Sequence, residues 1–138
     1  MKWPSYTPEE IKKVSEVIKS GKVNYWTGNE VKSFEKEFSN FMGNKYSIAV
    51  CNATLALEAS LLALNIGKGD EVITTPRSYN ASASCILRVG AKPVFADIEI
   101  ETQNISVTDI KKKISNKTKA IICVHLGGTP CDIIEIKK

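Results

Sequence analysis

The segment YSIAVCNATLALEASLLALNIGKGDEVITT (residues 46–75) decides the fold class. Its apolar start predicts a buried strand at Tyr46–Cys51, and Asn52 is a good cap for a helix over Ala53–Leu64. That helix is apolar on nearly every side, which predicts burial on more than one face. After a glycine-containing turn, Glu71–Thr75 (EVITT) predicts a second strand. A strand, a helix and a strand in this order form the repeating unit of a parallel sheet.

The same alternation continues towards the C-terminus. The sequence predicts a helix at Tyr79–Val89, a strand at Pro93–Asp97, a short helix capped by Thr108, and a strand at Ala120–Leu126. Four strands alternating with helices indicate an α/β protein with a largely parallel sheet and flanking helices.

The N-terminal part has a different character. Thr7 and Glu10 form a capping box before a first amphipathic helix that ends at Gly21, and a second helix ends at Gly43. We therefore divide the chain into an N-terminal helical arm, residues 1–45, and an α/β part, residues 46–138.

Composition excludes several function classes. The 138 residues are 43% hydrophobic and 25% charged, with a formal net charge of +4, which is ordinary for a globular domain. The lysines form no basic stripe with interleaved aromatics, so nucleic-acid binding is not expected. No apolar run is long enough to span a membrane, and the N-terminus lacks the apolar core of a signal peptide. These features predict a cytoplasmic protein with reduced cysteines, whose spacing matches no metal site.

The junction at Asn52-Ala53-Thr54 is the first candidate for chemistry. A helix that starts at the carboxyl end of a strand presents free backbone N–H groups and the positive end of its dipole, which together bind anions. Ala53 is small enough to let a phosphate approach the backbone, and the Thr54 hydroxyl adds a donor. The same residues would serve equally well as an ordinary helix cap.

Two further residues are predicted at the same edge of the sheet. Tyr79 follows the strand at Glu71–Thr75, and His125, the only histidine, lies near the end of the fourth strand. Open α/β sheets bind ligands along this carboxyl edge. Tyr79 packing on its own helix and a purely structural His125 are the alternative interpretations.

Taken together, these segments resemble the DegT/StrS-type family of sugar aminotransferases, which depend on pyridoxal phosphate (PLP). The resemblance rests on the order and spacing of short matches along almost the whole chain: Trp26-Thr27-Gly28, Asn52-Ala53-Thr54-Leu55-Ala56-Leu57, Gly69-Asp70-Glu71-Val72-Ile73, Thr75-Pro76-Arg77-Ser78-Tyr79, Gly90-Ala91-Lys92-Pro93-Val94-Phe95, His125-Leu126-Gly127-Gly128 and Pro130-Cys131-Asp132. The Asn-Ala-Thr and Pro-Arg-Ser-Tyr versions look most like members that act in surface-polysaccharide sugar synthesis.

The resemblance implies the N-terminal part of the type I (aspartate aminotransferase-like) PLP fold, in a homodimer. It implies transfer of an amino group, usually from glutamate, to a nucleotide-linked keto sugar. Under this resemblance Ala53 and Thr54 bind the cofactor phosphate, and Tyr79 stacks on the pyridine ring.

The chemistry of PLP also needs a Schiff-base lysine and a carboxylate beside the pyridine nitrogen. In the family both lie after the segment matching Pro130-Cys131-Asp132, so we expect neither in residues 1–138 and expect this stretch alone to be inactive. Ile134 departs from the family pattern, where a second acid is common. Two alternatives stay open: a dehydratase of the same family, with histidine in place of the lysine, and a non-catalytic remnant that serves as a folded or partner-binding module.

Overall fold

The structure is a computed structural model that describes residues 3–138. The chain divides into two compact units, Met1–Ala49 and Val50–Lys138. Within the described residues, no helix has both the length and the apolar character needed to cross a membrane.

The first unit contains two helices, α1 (Pro8–Ser20) and α2 (Glu30–Met42). The predicted capping box begins α1: the Thr7 side chain accepts from the Glu10 backbone, and the Glu10 carboxylate accepts from the Thr7 backbone. Both helices end at a glycine in the left-handed conformation, Gly21 and Gly43, as the sequence predicted.

The second unit alternates helices with strands. Its elements are α3 (Ala53–Ala63), β1 (Glu71–Thr74), α4 (Ala81–Arg88), β2 (Lys92–Phe95), α5 (Val107–Lys113), β3 (Thr118–Ile121), a 3-10 turn (Leu126–Gly128) and α6 (Ile133–Ile136). The three strands form one sheet in the order β2-β1-β3, and both pairings are parallel. The predicted α/β class with a parallel sheet is confirmed.

Alternate residues of β1 face opposite sides of this sheet. Val72 belongs to an apolar cluster with residues of α3 and α4, whereas Ile73 belongs to a second cluster with residues of α5 and the segment before α6. Both side chains are fully buried, so β1 is the centre of a core with helices on either face.

An ion cluster lies where β1 begins, at the amino edge of the sheet. The Glu71 carboxylate accepts hydrogen bonds from Ser115 Oγ at 2.7 Å and from Lys92 Nζ at 3.0 Å. Both hydrogen bonds lower the pKa of Glu71 below its ordinary value, and the bond from Ser115 has the larger effect. The cluster joins the starts of β1 and β2 to the turn before β3, away from the edge where ligands are expected.

The predicted strand at Tyr46–Cys51 is not formed. The segment pairs with none of β1, β2 and β3, and its apolar side chains are left in solvent: Tyr46 is 74% exposed and Ile48 82% exposed. A strand exists only through the hydrogen bonds of a neighbour, so an apolar run without a partner stays irregular. Of the four strands that the sequence predicted, this one is not formed, and the other three are present.

Exposure of α3 is the second departure from expectation. The sequence predicted burial on more than one face, yet Leu61 is the only buried residue of this helix, and Leu55 and Leu62 are exposed. One face packs on α4 and the core, and no described residue covers the other side. The helix therefore presents an apolar surface that includes Leu55 and Leu62.

Smaller corrections concern element ends. The helix predicted at Tyr79–Val89 begins two residues later, and the strand predicted to reach Leu126 ends at Ile121. The cap of α5 is Ser106, whose side chain accepts from the Asp109 backbone, and not Thr108, which lies inside the helix. Both residues can cap, but only one hydroxyl meets the free N–H groups of the first turn.

Candidate functional site

The start of α3 provides two free backbone donors. Asn52 is extended and its side-chain oxygen accepts from the Leu55 N–H at 3.0 Å, which satisfies the third residue of the helix. Within residues 3–138, the N–H groups of Ala53 and Thr54 have no acceptor. Two N–H groups at the positive end of an 11-residue helix form the geometry that holds a phosphate.

The charge and bulk around these donors also fit an anion. The first turn of α3 has no acidic residue. Glu58, one turn later, is held away in an ion pair with Arg88 Nε of α4 at 2.6 Å. Ala53 is exposed and small, and Thr54 is half-buried and carries a hydroxyl in the same turn. The residues present therefore fit a phosphate group.

Tyr79 lies in the loop between β1 and α4. Its ring is 78% exposed and stacks on no aromatic side chain of the described residues. The loop beneath it is held by three short-range contacts: Arg77 N–H donates to Thr75 Oγ1 at 3.2 Å, Ser78 N–H to the Pro76 carbonyl at 3.1 Å, and the Ser78 and Ser82 hydroxyls lie 2.6 Å apart. A ring that is exposed on a braced loop can stack on a flat ligand without rearrangement.

Topology places both features towards one edge of the sheet. The C-terminal end of α3 leads through Ile66 into the start of β1, so the helix runs back from the carboxyl edge. The N-terminus of α4 follows the carboxyl end of β1, and α3 packs against α4. Ala53, Thr54 and Tyr79 thus belong to neighbouring elements, although no hydrogen bond among the described residues joins Tyr79 to the other two.

His125 belongs to the loop after β3. The residue is exposed and its ring Nδ1 accepts from the Cys131 N–H at 3.0 Å. The sequence had placed it on the last strand, but the strand ends four residues earlier.

Neither Cys85 nor Cys123 is an activated nucleophile. Burial raises the pKa of Cys85, and burial together with the neighbouring Cys131 thiol raises the pKa of Cys123. A raised pKa disfavours the thiolate, which is the reactive form. Cys85 and Cys131 are buried free thiols that pack as small apolar residues.

Comparison with known proteins identifies the family. The profile of the DegT/DnrJ/EryC1/StrS aminotransferase family matches residues 4–138. The chain belongs to this aminotransferase family. The resemblance inferred from the short motifs is thereby confirmed.

Individual members show how much of the family's length the chain spans. It is 45% identical over 133 residues to GDP-perosamine synthase of Escherichia coli O157:H7, covering 96% of this chain and 36% of that protein. The X-ray structure of the aminotransferase from Psychrobacter cryohalolentis superposes with a TM-score of 0.96 at 50% identity, covering 99% of this chain and 35% of that one. The chain therefore spans about a third of the length of these relatives.

A further solved member is described with its cofactor. The PLP form of the putative sugar aminotransferase Spr1654 from Streptococcus pneumoniae superposes with a TM-score of 0.91 at 36% identity, over 97% of this chain and 34% of that one. These superpositions confirm that residues 3–138 have the fold of the corresponding part of PLP-fold aminotransferases.

Proposed function

We propose that the complete gene product is a PLP-dependent aminotransferase that moves an amino group from an amino acid, glutamate by resemblance, to a nucleotide-linked keto sugar for surface-polysaccharide synthesis. The observation that carries the proposal is the start of α3, where two free N–H groups and a hydroxyl fit a phosphate in a chain that the family profile matches over residues 4–138. The similarity to GDP-perosamine synthase favours a GDP-linked sugar.

In this proposal the chain's own residues hold and orient the cofactor. The N–H groups of Ala53 and Thr54 and the Thr54 hydroxyl donate to its phosphate, and the dipole of α3 stabilises the negative charge. Tyr79 stacks on its ring. An anchor at one end and a flat contact at the ring fix both the position and the plane of the cofactor. PLP itself supplies an electron sink for the carbanion formed at the amino acid.

The covalent attachment and the pyridine carboxylate are proposed to come from sequence after residue 138. Every lysine among residues 3–138 is exposed, whereas a lysine that reacts with carbonyl groups is activated by desolvation or by a neighbouring cation. We therefore propose that residues 1–138 alone bind cofactor weakly and do not transaminate. The complete protein is proposed to be a cytoplasmic homodimer.

Two alternatives carry different expectations. A dehydratase of the family would carry histidine at the position of the lysine, and a non-catalytic remnant would lack that position altogether. Sequencing the gene past the codon for Lys138 separates the three cases.

The amino-donor half-reaction tests the function without knowledge of the sugar. Purified complete gene product, loaded with PLP, should release 2-oxoglutarate from glutamate in stoichiometric amount and turn over when a GDP- or UDP-linked keto sugar is added. Residues 1–138 alone, treated identically, are the matched control and should release none. If the complete protein releases no 2-oxo acid from glutamate or from any other amino acid, the aminotransferase proposal is overturned. Release of 2-oxoglutarate by residues 1–138 alone would overturn the proposal that the reaction needs sequence after residue 138.

A further inference from the structure

The loop between β3 and α6, residues 122–132, is held by one buried amide. Asn104 lies in a different part of the sequence and is only 4% exposed. Its side-chain nitrogen donates to the Thr129 carbonyl at 2.9 Å and to the Pro130 carbonyl at 3.0 Å, and its oxygen accepts from the Leu126 N–H at 3.1 Å. All three bonds go to this loop, so the position of the loop depends on Asn104.

The same loop is tied together across its base. The Cys131 thiol donates to the Val124 carbonyl at 3.2 Å, and the Cys131 N–H donates to His125 Nδ1 at 3.0 Å. A nitrogen that accepts a hydrogen bond carries no proton, so the neutral ring has its proton on Nε2. Within residues 3–138, Nε2 has no hydrogen-bond partner, although the ring is fixed and the residue is exposed.

The loop leaves the sheet beside the end of β1. The Ile122 N–H donates to the Ile73 carbonyl at 2.8 Å, and Thr74 Oγ1 donates to the Ile122 carbonyl at 3.3 Å. The next residues after β1 lead to Tyr79, and the next residues after Ile122 lead to His125. Both therefore lie past the carboxyl ends of adjacent parallel strands, where α/β sheets bind ligands.

We propose that His125 is a binding residue that donates its Nε2–H to an anionic oxygen of a substrate, and that Asn104 is the positioning residue that holds it there. The proposal rests on the aminotransferase function proposed above, whose two substrates both carry such oxygens: the diphosphate of the nucleotide-linked sugar and the carboxylates of the amino donor. Hydrogen bonds to charged acceptors are stronger than those between neutral groups, and a donor already fixed in place loses little entropy on binding.

Two substitutions of His125 separate the binding role from the structural one. In His125→Asn the side-chain oxygen stands near Nδ1 and still accepts from Cys131, but the donor at Nε2 is gone. In His125→Gln an amide reaches the position of Nε2 and restores a donor. The measurements on the complete protein are the dissociation constants of GDP and UDP by calorimetry, the KM for glutamate, and the thermal midpoint.

For His125→Asn we expect an unchanged thermal midpoint and a rise of about tenfold or more in one constant, with partial recovery in His125→Gln. A rise for GDP or UDP assigns the donor to the diphosphate, and a rise in the glutamate KM assigns it to the carboxylate. Wild-type values for all constants in His125→Asn would overturn the proposal. If the wild-type protein releases no 2-oxo acid from glutamate or from any other amino acid, the aminotransferase function fails, whereas the GDP and UDP measurements still test His125.

A double-mutant cycle tests the role of Asn104. Asn104→Ala should raise the same dissociation constant or KM that His125→Asn raises, and it should also lower the thermal midpoint. If Asn104 acts through His125, its effect on binding disappears in the His125→Asn background, while its effect on the thermal midpoint persists. Additive effects on binding would show that Asn104 does not act through His125.

Discussion

Asn52 allows the phosphate site to be tested independently of helix stability. Its side-chain oxygen caps α3 at 3.0 Å from the Leu55 nitrogen, in the same turn as the free N–H groups of Ala53 and Thr54. Asn52→Asp keeps an oxygen in the capping position and adds a negative charge. Asn52→Ala removes the cap and adds no charge. The two changes therefore act in opposite directions on stability, and only Asn52→Asp disturbs anion binding.

The magnitudes follow from the position of the side chain. Loss of the cap in Asn52→Ala should cost about 1 kcal/mol of stability. The carboxylate of Asn52→Asp should match the wild-type cap and gain roughly 0.3–1 kcal/mol from the helix dipole. The new carboxylate would, however, repel a bound phosphate. For two unit charges about 4 Å apart, this repulsion lowers the binding free energy by about 1 kcal/mol in water and by about 4 kcal/mol at a partly buried site. The affinity for a phosphorylated ligand should therefore fall about tenfold or more.

Pyridoxamine phosphate is the probe for this experiment, because it carries the phosphate but forms no covalent link to a lysine. Its dissociation constant and the thermal midpoint of the ligand-free protein are measured for the complete gene product and both variants. We expect Asn52→Asp to be stable but weak in binding, with a defect that shrinks as salt is added. Asn52→Ala should be less stable, with a dissociation constant within a few-fold of wild type. Wild-type affinity in Asn52→Asp would refute the placement of the phosphate at α3.

Four further outcomes are expected. Thr54→Ala should raise the dissociation constant of pyridoxamine phosphate about tenfold, and Thr54→Ser should restore it; equal affinity in all three proteins would remove the hydroxyl from the site. Tyr79→Phe should be mild and Tyr79→Ala should weaken the same binding by about 1 kcal/mol, whereas equal losses would point to the phenol group and away from stacking. Because the pKa of Glu71 is lowered in the folded protein, its contribution to stability is complete above the pKa that Glu71 has in the unfolded chain, and it is lost as the pH falls through the folded pKa. Glu71→Gln should therefore reduce the loss of stability at acid pH in a curve of unfolding free energy against pH. An unchanged loss at acid pH would contradict this. Residues 1–138 expressed alone should aggregate or unfold without a sharp transition, because large apolar side chains such as Ile48 are exposed, and a cooperative transition in a soluble monomer would show the opposite.

Local features could be predicted from the sequence. The capping box of α1, the glycine ends of α1 and α2 and the Asn52 cap of α3 each depend on residues within one helical turn, and all are present. The strands β1, β2 and β3 could be found because each is a short apolar run between turns. The start of α3 could be predicted as a candidate anion site for the same reason, since its two free N–H donors and its cap come from consecutive residues.

Features that depend on distant residues could not be predicted. The apolar pattern of Tyr46–Cys51 by itself indicates a strand but contains no information about its neighbours. The family resemblance implies that those neighbours come from later sequence, and within the described residues the segment has none. The prediction that Thr108 caps α5 was wrong because Ser106, two residues earlier, also carries a hydroxyl that can cap a helix. Asn104 gave no signal at all, since its partners lie 22 to 26 residues away and include backbone atoms that any residue would supply.

The central place of β1 has a consequence for the order in which the chain assembles during translation. Pairing of β1 with β2 joins Glu71 to Lys92, and pairing with β3 joins Glu71 to Thr118, which closes a loop about twice as long and costs about 0.6 kcal/mol more in chain entropy. As the polypeptide leaves the ribosome, β1, α4 and β2 can therefore close first and offer β3 a ready edge. The segment Tyr46–Cys51 is synthesised before all of them, yet within the part of the chain that the structure describes it has no partner in their sheet.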